Sequence, residues 1–284
     1  MTDKITSVIA REEDGNIQIT FTIPFGLVEK EKEHAILEMA GEVEIPGFRK
    51  GKAPLDKVKE KIGENRLIEH ALGHVLPKAL SDSVTEHKLK PAIYPKYELI
   101  SAKENEAWQV RAITCELPEV ELGDYKKAIA GASKASSIVV PGKENKKETP
   151  EEKEGIVIKT LLELIKIKIP RILIEEEVQG RLSSLLARLE KLGLALEGYL
   201  NSIGKTVEVL KAEYEVQAKE AISLDLILSK VAEVENVKIN EKDIEEALKV
   251  AQSTNPDENP ESRKRLLESI LKRRQALGLL VNLV

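Results

Sequence analysis

His70 and His74 stand four residues apart in a stretch of helical period, the spacing at which two imidazoles can share one metal ion. The general-base glutamate of a zinc hydrolase motif would fall at position 71, which is Ala71, and no third ligand lies nearby in the sequence. His34 and His87 are elsewhere, so the pair reads as helix histidines rather than as a metal centre. Cys115 is the single cysteine and cannot close an intramolecular disulfide. It falls on the same side of an alternating strand as Ile113 and Leu117, where a small apolar filler is expected rather than a nucleophile. Gly47-Phe48-Arg49-Lys50-Gly51-Lys52-Ala53 has the outline of a phosphate-binding loop. The spacing is one residue short, and Ala53 stands where magnesium binding requires a hydroxyl. Glu175, Glu176 and Glu177 read as the solvated face of a highly charged helix. These residues lead us to expect no catalytic constellation, no metal and no cofactor.

The loop itself carries a different chemistry. Pro46 and Pro54 stiffen its ends, and Gly47 and Gly51 allow backbone angles closed to other residues. Between them sit Phe48, Arg49, Lys50 and Lys52 with no acidic neighbour. An aromatic ring flanked by cations on a loop tip can dock: the ring contributes about 1.5–3 kcal/mol if buried in a partner, and the cations meet carboxylates or phosphates. The alternative is a solvated turn whose Phe48 folds back on the core.

These residues must be held by surrounding elements. Ile17, Ile19, Phe21 and Ile23 alternate with polar residues, the period of a half-buried strand. Lys4 to Arg11 is a weaker strand joined to it through a turn at Asp14-Gly15, and Ala107 to Leu117 alternates again. Helical periods run through Ala35, Ile36, Met39, Ala40 and Val43, through Leu55, Val58 and Ile62, and from Leu67 to Val84, where Pro77 is expected to kink or interrupt the helix. This predicts an α+β N-terminal domain, an antiparallel sheet with helices, over residues 1–127. Residues 128–155 are small, polar and charged and read as a linker. Residues 156–284 read as an all-α domain of helical arms, with Asn240 as an N-cap and a final amphipathic helix through Leu266, Ile270, Leu277 and Val281.

Composition narrows the partners. The 284 residues give room for two domains, and aromatic residues, at 3%, are too scarce for base-stacking platforms. The net charge of −5 means that an anionic partner must be met by a local basic patch. No run approaches the roughly 20 apolar residues that span a bilayer, and the first residues lack a signal-like apolar stretch. The expectation is a soluble, cytoplasmic protein with no membrane partner.

Gly47-Phe48-Arg49-Lys50-Gly51-Lys52-Ala53-Pro54 resembles the ribosome-binding signature of the trigger factor family, the bacterial ribosome-associated chaperones. Leu76-Pro77-Lys78-Ala79-Leu80, Lys90-Pro91-Ala92-Ile93 and Leu117-Pro118-Glu119-Val120-Glu121-Leu122 stand in the order expected of that family's N-terminal domain. Ile169-Pro170-Arg171 leading to Glu175-Glu176-Glu177-Val178, and Tyr199-Leu200-Asn201-Ser202-Ile203-Gly204-Lys205-Thr206, resemble its helical substrate-binding domain. Family members usually carry a prolyl isomerase domain between these halves, and the interval from Ala128 to Gly155 is too short for one. The resemblance therefore implies a non-enzymatic chaperone without the isomerase. It would dock at the tunnel exit of the large ribosomal subunit, on ribosomal protein or rRNA, through Gly47, Phe48, Arg49, Lys50, Gly51, Lys52 and Pro54, and shield nascent or unfolded polypeptides in a cradle. A homodimer of the free protein is compatible with it. The rivals are a folding isomerase, for which the sequence has no room, and a ribosome-independent holdase or assembly chaperone.

Overall fold

The computed structural model describes residues 4–41, 43–49, 51–103, 105–136, 149–252 and 259–284. The chain divides into two compact units, Met1–Leu117 with Pro170–Leu173, and Pro118–Ile169 with Ile174–Val284.

The first unit is built on the alternation at Ile17. Strands β1 (Thr6–Arg11), β2 (Asn16–Ile23), β3 (Lys96–Ser101) and β4 (Trp108–Cys115) form one sheet in the order β1-β2-β4-β3, antiparallel throughout. Phe21 lies opposite Val110, Ile19 opposite Ala112 and Ile23 opposite Trp108, so the apolar alternations of two strands fall on one face. Helices α1 (Phe25–Ala40), α2 (Leu55–Ile62) and α3 (Glu64–Glu86) complete the unit. Val28 of α1 and Val75, Leu76 and Ala79 of α3 join the β2 and β4 residues in one buried cluster. At the hairpin, the Asp14 carboxylate accepts from the Asn16 backbone N–H at 3.0 Å and from its side-chain amide at 2.8 Å. The Asn16 side-chain oxygen in turn accepts from the Ile172 N–H at 3.1 Å, which ties the Pro170–Leu173 segment to this unit.

Two features depart from the sequence reading. Helix α3 runs unbroken through Pro77. Its buried face continues on both sides of the ring, and Leu67, Val75 and Leu76, at about 1.5–3 kcal/mol each, outweigh the roughly 3 kcal/mol cost of an internal proline. Strand β3 was not foreseen. It is an edge strand in which the adjacent Leu99 and Ile100 break the period of two, and its register with β4 shifts between Leu99 and Ser101.

The second unit is helical: α4 (Tyr125–Ser136), α5 (Pro150–Leu164), α6 (Arg171–Lys191, its first residues counted with the first unit), α7 (Leu196–Ser202), α8 (Val207–Val234), α9 (Glu241–Gln252) and α10 (Pro260–Val281). The interval 128–155, which reads as linker in sequence, thus begins inside α4 and ends inside α5, while 137–148 lie outside the described residues. Alanine-rich 128–132 favours helix, and Ile129 is fully buried beside Leu161 and Ile227. A capping box starts α5: the Thr149 hydroxyl accepts from the Glu152 N–H at 3.3 Å, and the Glu152 carboxylate accepts from the Thr149 N–H at 2.8 Å. The main cluster joins α4, α5, α8 and α10, and a smaller one joins Ile174 and Val178 of α6 to Ala218 of α8.

Candidate functional site

The loop between α1 and α2 is built from two successive turns. The Phe48 N–H donates to the Ile45 carbonyl at 3.1 Å, with Pro46 second and Gly47 third in the turn. Gly47 has φ of 88°, the pattern of a type II turn, which needs positive φ at its third residue. The Lys52 N–H then donates to the Arg49 carbonyl at 2.9 Å, with Gly51 third at φ of 75°. Pro54 ends the loop as the N-cap of α2. The stems are anchored below: Ala35 and Met39 of α1 meet Leu67 of α3, and Val58 of α2 is buried.

Turn geometry leaves the tip in solvent. Phe48 is 47% exposed, so its ring does not fold back into the core, and Arg49 and Lys52 are exposed. Neither cation has an ion pair among the described residues. Lys50, the remaining cation of the proposed set, lies outside the described residues. The geometry presents an apolar ring with flanking positive charge on a backbone restricted by two prolines.

The other sequence candidates are placed differently. Cys115 is fully buried, and burial pushes its thiol up to about 11, which suits a filler. His70 and His74 lie side by side on α3 with ring centroids 4.8 Å apart. Glu38 of α1, a residue that sequence reasoning missed, reaches both: its Oε2 lies 3.4 Å from His74 Nε2 and 3.9 Å from His70 Nδ1. His34 Nδ1 lies 3.6 Å from Glu38 Oε1. A carboxylate that the local sequence lacks thus lies near both imidazoles across the helix pair. Among the described residues, no helix is long and apolar enough to cross a membrane.

Helices of the second unit carry exposed aliphatic side chains: Leu186 and Leu192 from α6 and the segment after it, Val216 on α8, and Leu266 and Ile270 on α10. On α6, Leu189 is buried and Leu182 partly buried; on α10, Leu277 is partly buried while Leu266 and Ile270 are open.

The first unit thus bears a cationic-aromatic loop closed by two turns, and the second leaves aliphatic side chains exposed on its helices. Residues 6–149 match the family profile of bacterial trigger factor protein, and residues 142–282 match that of its C-terminus. The chain belongs to the trigger factor family. The two matches overlap, so no stretch between them can hold the isomerase domain. Trigger factor of Streptococcus agalactiae serotype Ia is 38% identical over 108 residues, 38% of this chain and 25% of that protein. The Limosilactobacillus reuteri protein is 34% identical over 108 residues, with the same coverage, and that of Streptococcus pyogenes serotype M5 is 37% identical over 111 residues, 39% of this chain and 26% of that one. The chain thus aligns with about a quarter of the length of these relatives. A solved structure from work on promiscuous substrate recognition in folding and assembly by the trigger factor chaperone superposes with a TM-score of 0.60 at 14% identity, over 97% of this chain and 99% of that one. It shares the fold.

Proposed function

We propose that the protein is a cytoplasmic, ribosome-associated chaperone that docks near the polypeptide tunnel exit through Gly47, Phe48, Arg49, Lys50, Gly51, Lys52 and Pro54 and shields nascent chains, without prolyl isomerase activity. The observation that carries this reading is the 47% exposure of Phe48 on a loop closed by two turns. A preformed loop loses little conformational entropy on binding, so few residues can dominate affinity. Docking belongs to residues 1–127 and client binding to 156–284, on either side of the 128–155 interval.

Replacing Phe48, Arg49 and Lys50 together by alanine removes a ring and two charge-assisted contacts, each worth about 1.5–3 kcal/mol. Co-sedimentation with ribosomes is expected to fall by orders of magnitude while the melting temperature stays put, and wild-type binding is expected to weaken with added salt. A triple variant that pellets like the wild type removes the docking assignment. NMR exchange on a proline peptide should show no acceleration of isomerisation, whose uncatalysed barrier is about 20 kcal/mol.

A second reading is favoured by the open Leu266 and Ile270, which need no ribosome to bind a client. In a ribosome-independent holdase, suppression of client aggregation would survive the loop variant and ribosome binding would be absent from the wild type.

A further inference from the structure

We propose that Glu38, His70 and His74 form a binding site for a zinc-type divalent transition-metal ion. Four-residue spacing places the two imidazoles on one face of α3, and Glu38 comes from the last turn of α1. The three donor atoms lie within 4.8 Å of one another, and so do those of an overlapping set, Glu31, His34 and His74. Tetrahedral zinc with bonds of about 2.0–2.1 Å needs donors about 3.3 Å apart. Glu38 Oε2 to His74 Nε2, at 3.4 Å, has that separation already, and His70 Nδ1, at 3.9 Å, closes with a small side-chain rotation.

Hydrogen bonding does not account for the cluster. An N–H···O bond is about 2.7–3.2 Å long, and the imidazole–carboxylate separations here are 3.4, 3.6 and 3.9 Å. His70 Nδ1 is buried and has no hydrogen-bond partner, so a lone pair or a proton there is unmet. A divalent cation would satisfy that nitrogen, the second imidazole and the carboxylate at once. Two neutral imidazoles with one carboxylate suit zinc, cobalt(II) or nickel(II) rather than magnesium or calcium, which favour all-oxygen donor sets. The bound ion would tie α1 to α3 in the turns just before the loop, whose first residues follow Gly41. This proposal does not depend on ribosome docking.

The test uses the untagged full-length chain stripped with a chelator. Zn2+ is titrated calorimetrically, and Co2+ is followed through its visible d–d absorption. The expected result is one saturable equivalent of Zn2+, a Co2+ spectrum of low-coordinate type, and a raised melting temperature with Zn2+. Glu38→Gln and His74→Ala are expected to weaken Zn2+ binding by more than the roughly 10–100-fold that an outer-shell partner contributes. His87→Ala, at the C-terminal end of α3, is expected to bind as the wild type does. Glu38 and His74 are both exposed, so their variants should keep the wild-type circular dichroism, and Glu38→Gln alone decides the matter if a histidine variant unfolds. Absence of saturable binding, or binding that survives Glu38→Gln and His74→Ala, overturns the site.

Discussion

In the sheet unit, Trp108, Phe21, Ile19 and Ile23 converge with residues of α1 and α3 on one main buried cluster, a small second one joins Ala35 and Met39 to Leu67, and exposed apolar side chains include Val8, Leu99 and Ile100 on the edge strands β1 and β3 and Leu37 and Leu55 on α1 and α2. In the helical unit the burial is divided, and Leu192, Val216, Leu266 and Ile270 stay in solvent along or just after long helices. The contrast follows from period. Two paired strands with alternation in register fuse their apolar residues into one continuous face, whereas a helix covers its stripe only where another helix lies against it. The 28 residues of α8 reach about 42 Å at 1.5 Å per residue, longer than a single small cluster can cover. In the proposed function, recognition is accordingly concentrated on a loop in one unit and spread over helix surfaces in the other.

The sharpest test of this contrast is Phe21→Ala. Deleting a fully buried ring from the main cluster of the sheet unit should cost about 3–5 kcal/mol, read from urea unfolding as a drop in midpoint with the slope retained. Leu161→Ala, in the main helical cluster, should cost about 2–5 kcal/mol. Both variants should leave the exposed loop between α1 and α2 intact wherever the fold persists.

Leu266→Ser combined with Ile270→Ser should behave in the opposite way, changing stability by no more than about 0.5 kcal/mol per site while reducing suppression of client aggregation in light-scattering assays. Strong destabilisation would mean that these side chains are structural, and the contrast between the units would collapse.

Cys115 reports on the sheet unit alone. With its thiol pushed up to about 11 by burial, only about one molecule in a thousand carries thiolate at pH 8. Labelling by a thiol reagent should be at least about 100-fold slower in the native protein than in urea. Fast native labelling would show that the cluster opens readily.

Smallest is the effect at Glu116, whose carboxylate accepts from the Lys90 N–H at 2.7 Å and from Arg11 at 2.8 Å. The Lys90 bond first, then the Arg11 bond, hold it below the usual glutamate range. A lowered folded value means stability that is complete above about pH 4.3 and is lost as pH falls through the folded value. Glu116→Gln should cost less than about 1 kcal/mol at pH 7, and its unfolding free energy should converge on the wild type's as pH falls below the folded value. A constant difference across that range would assign the effect to packing.

Local sequence was sufficient wherever a single period or turn carried the signal. Ile17 to Ile23 specified β2 and its buried face, Pro46-Gly47 specified the first turn of the loop, and Thr149 to Glu152 holds a capping box whose residues are contiguous, although the interval around it reads as linker. These depend on backbone angles and side-chain directions within a few residues, and the strand, turn and cap follow from them directly. Tertiary structure decided what depends on partners distant in sequence. Edge strand β3 exists because β4 offers it hydrogen bonds, and α3 survives Pro77 because its face is buried on both sides. Glu38 meets His70 and His74 because α1 and α3 are brought together over Ala35, Met39 and Leu67, more than 30 residues of chain separating ligands whose spacing in space is set by that contact. Local propensity cannot encode such a distance, because it is set by which apolar faces find each other when the chain collapses.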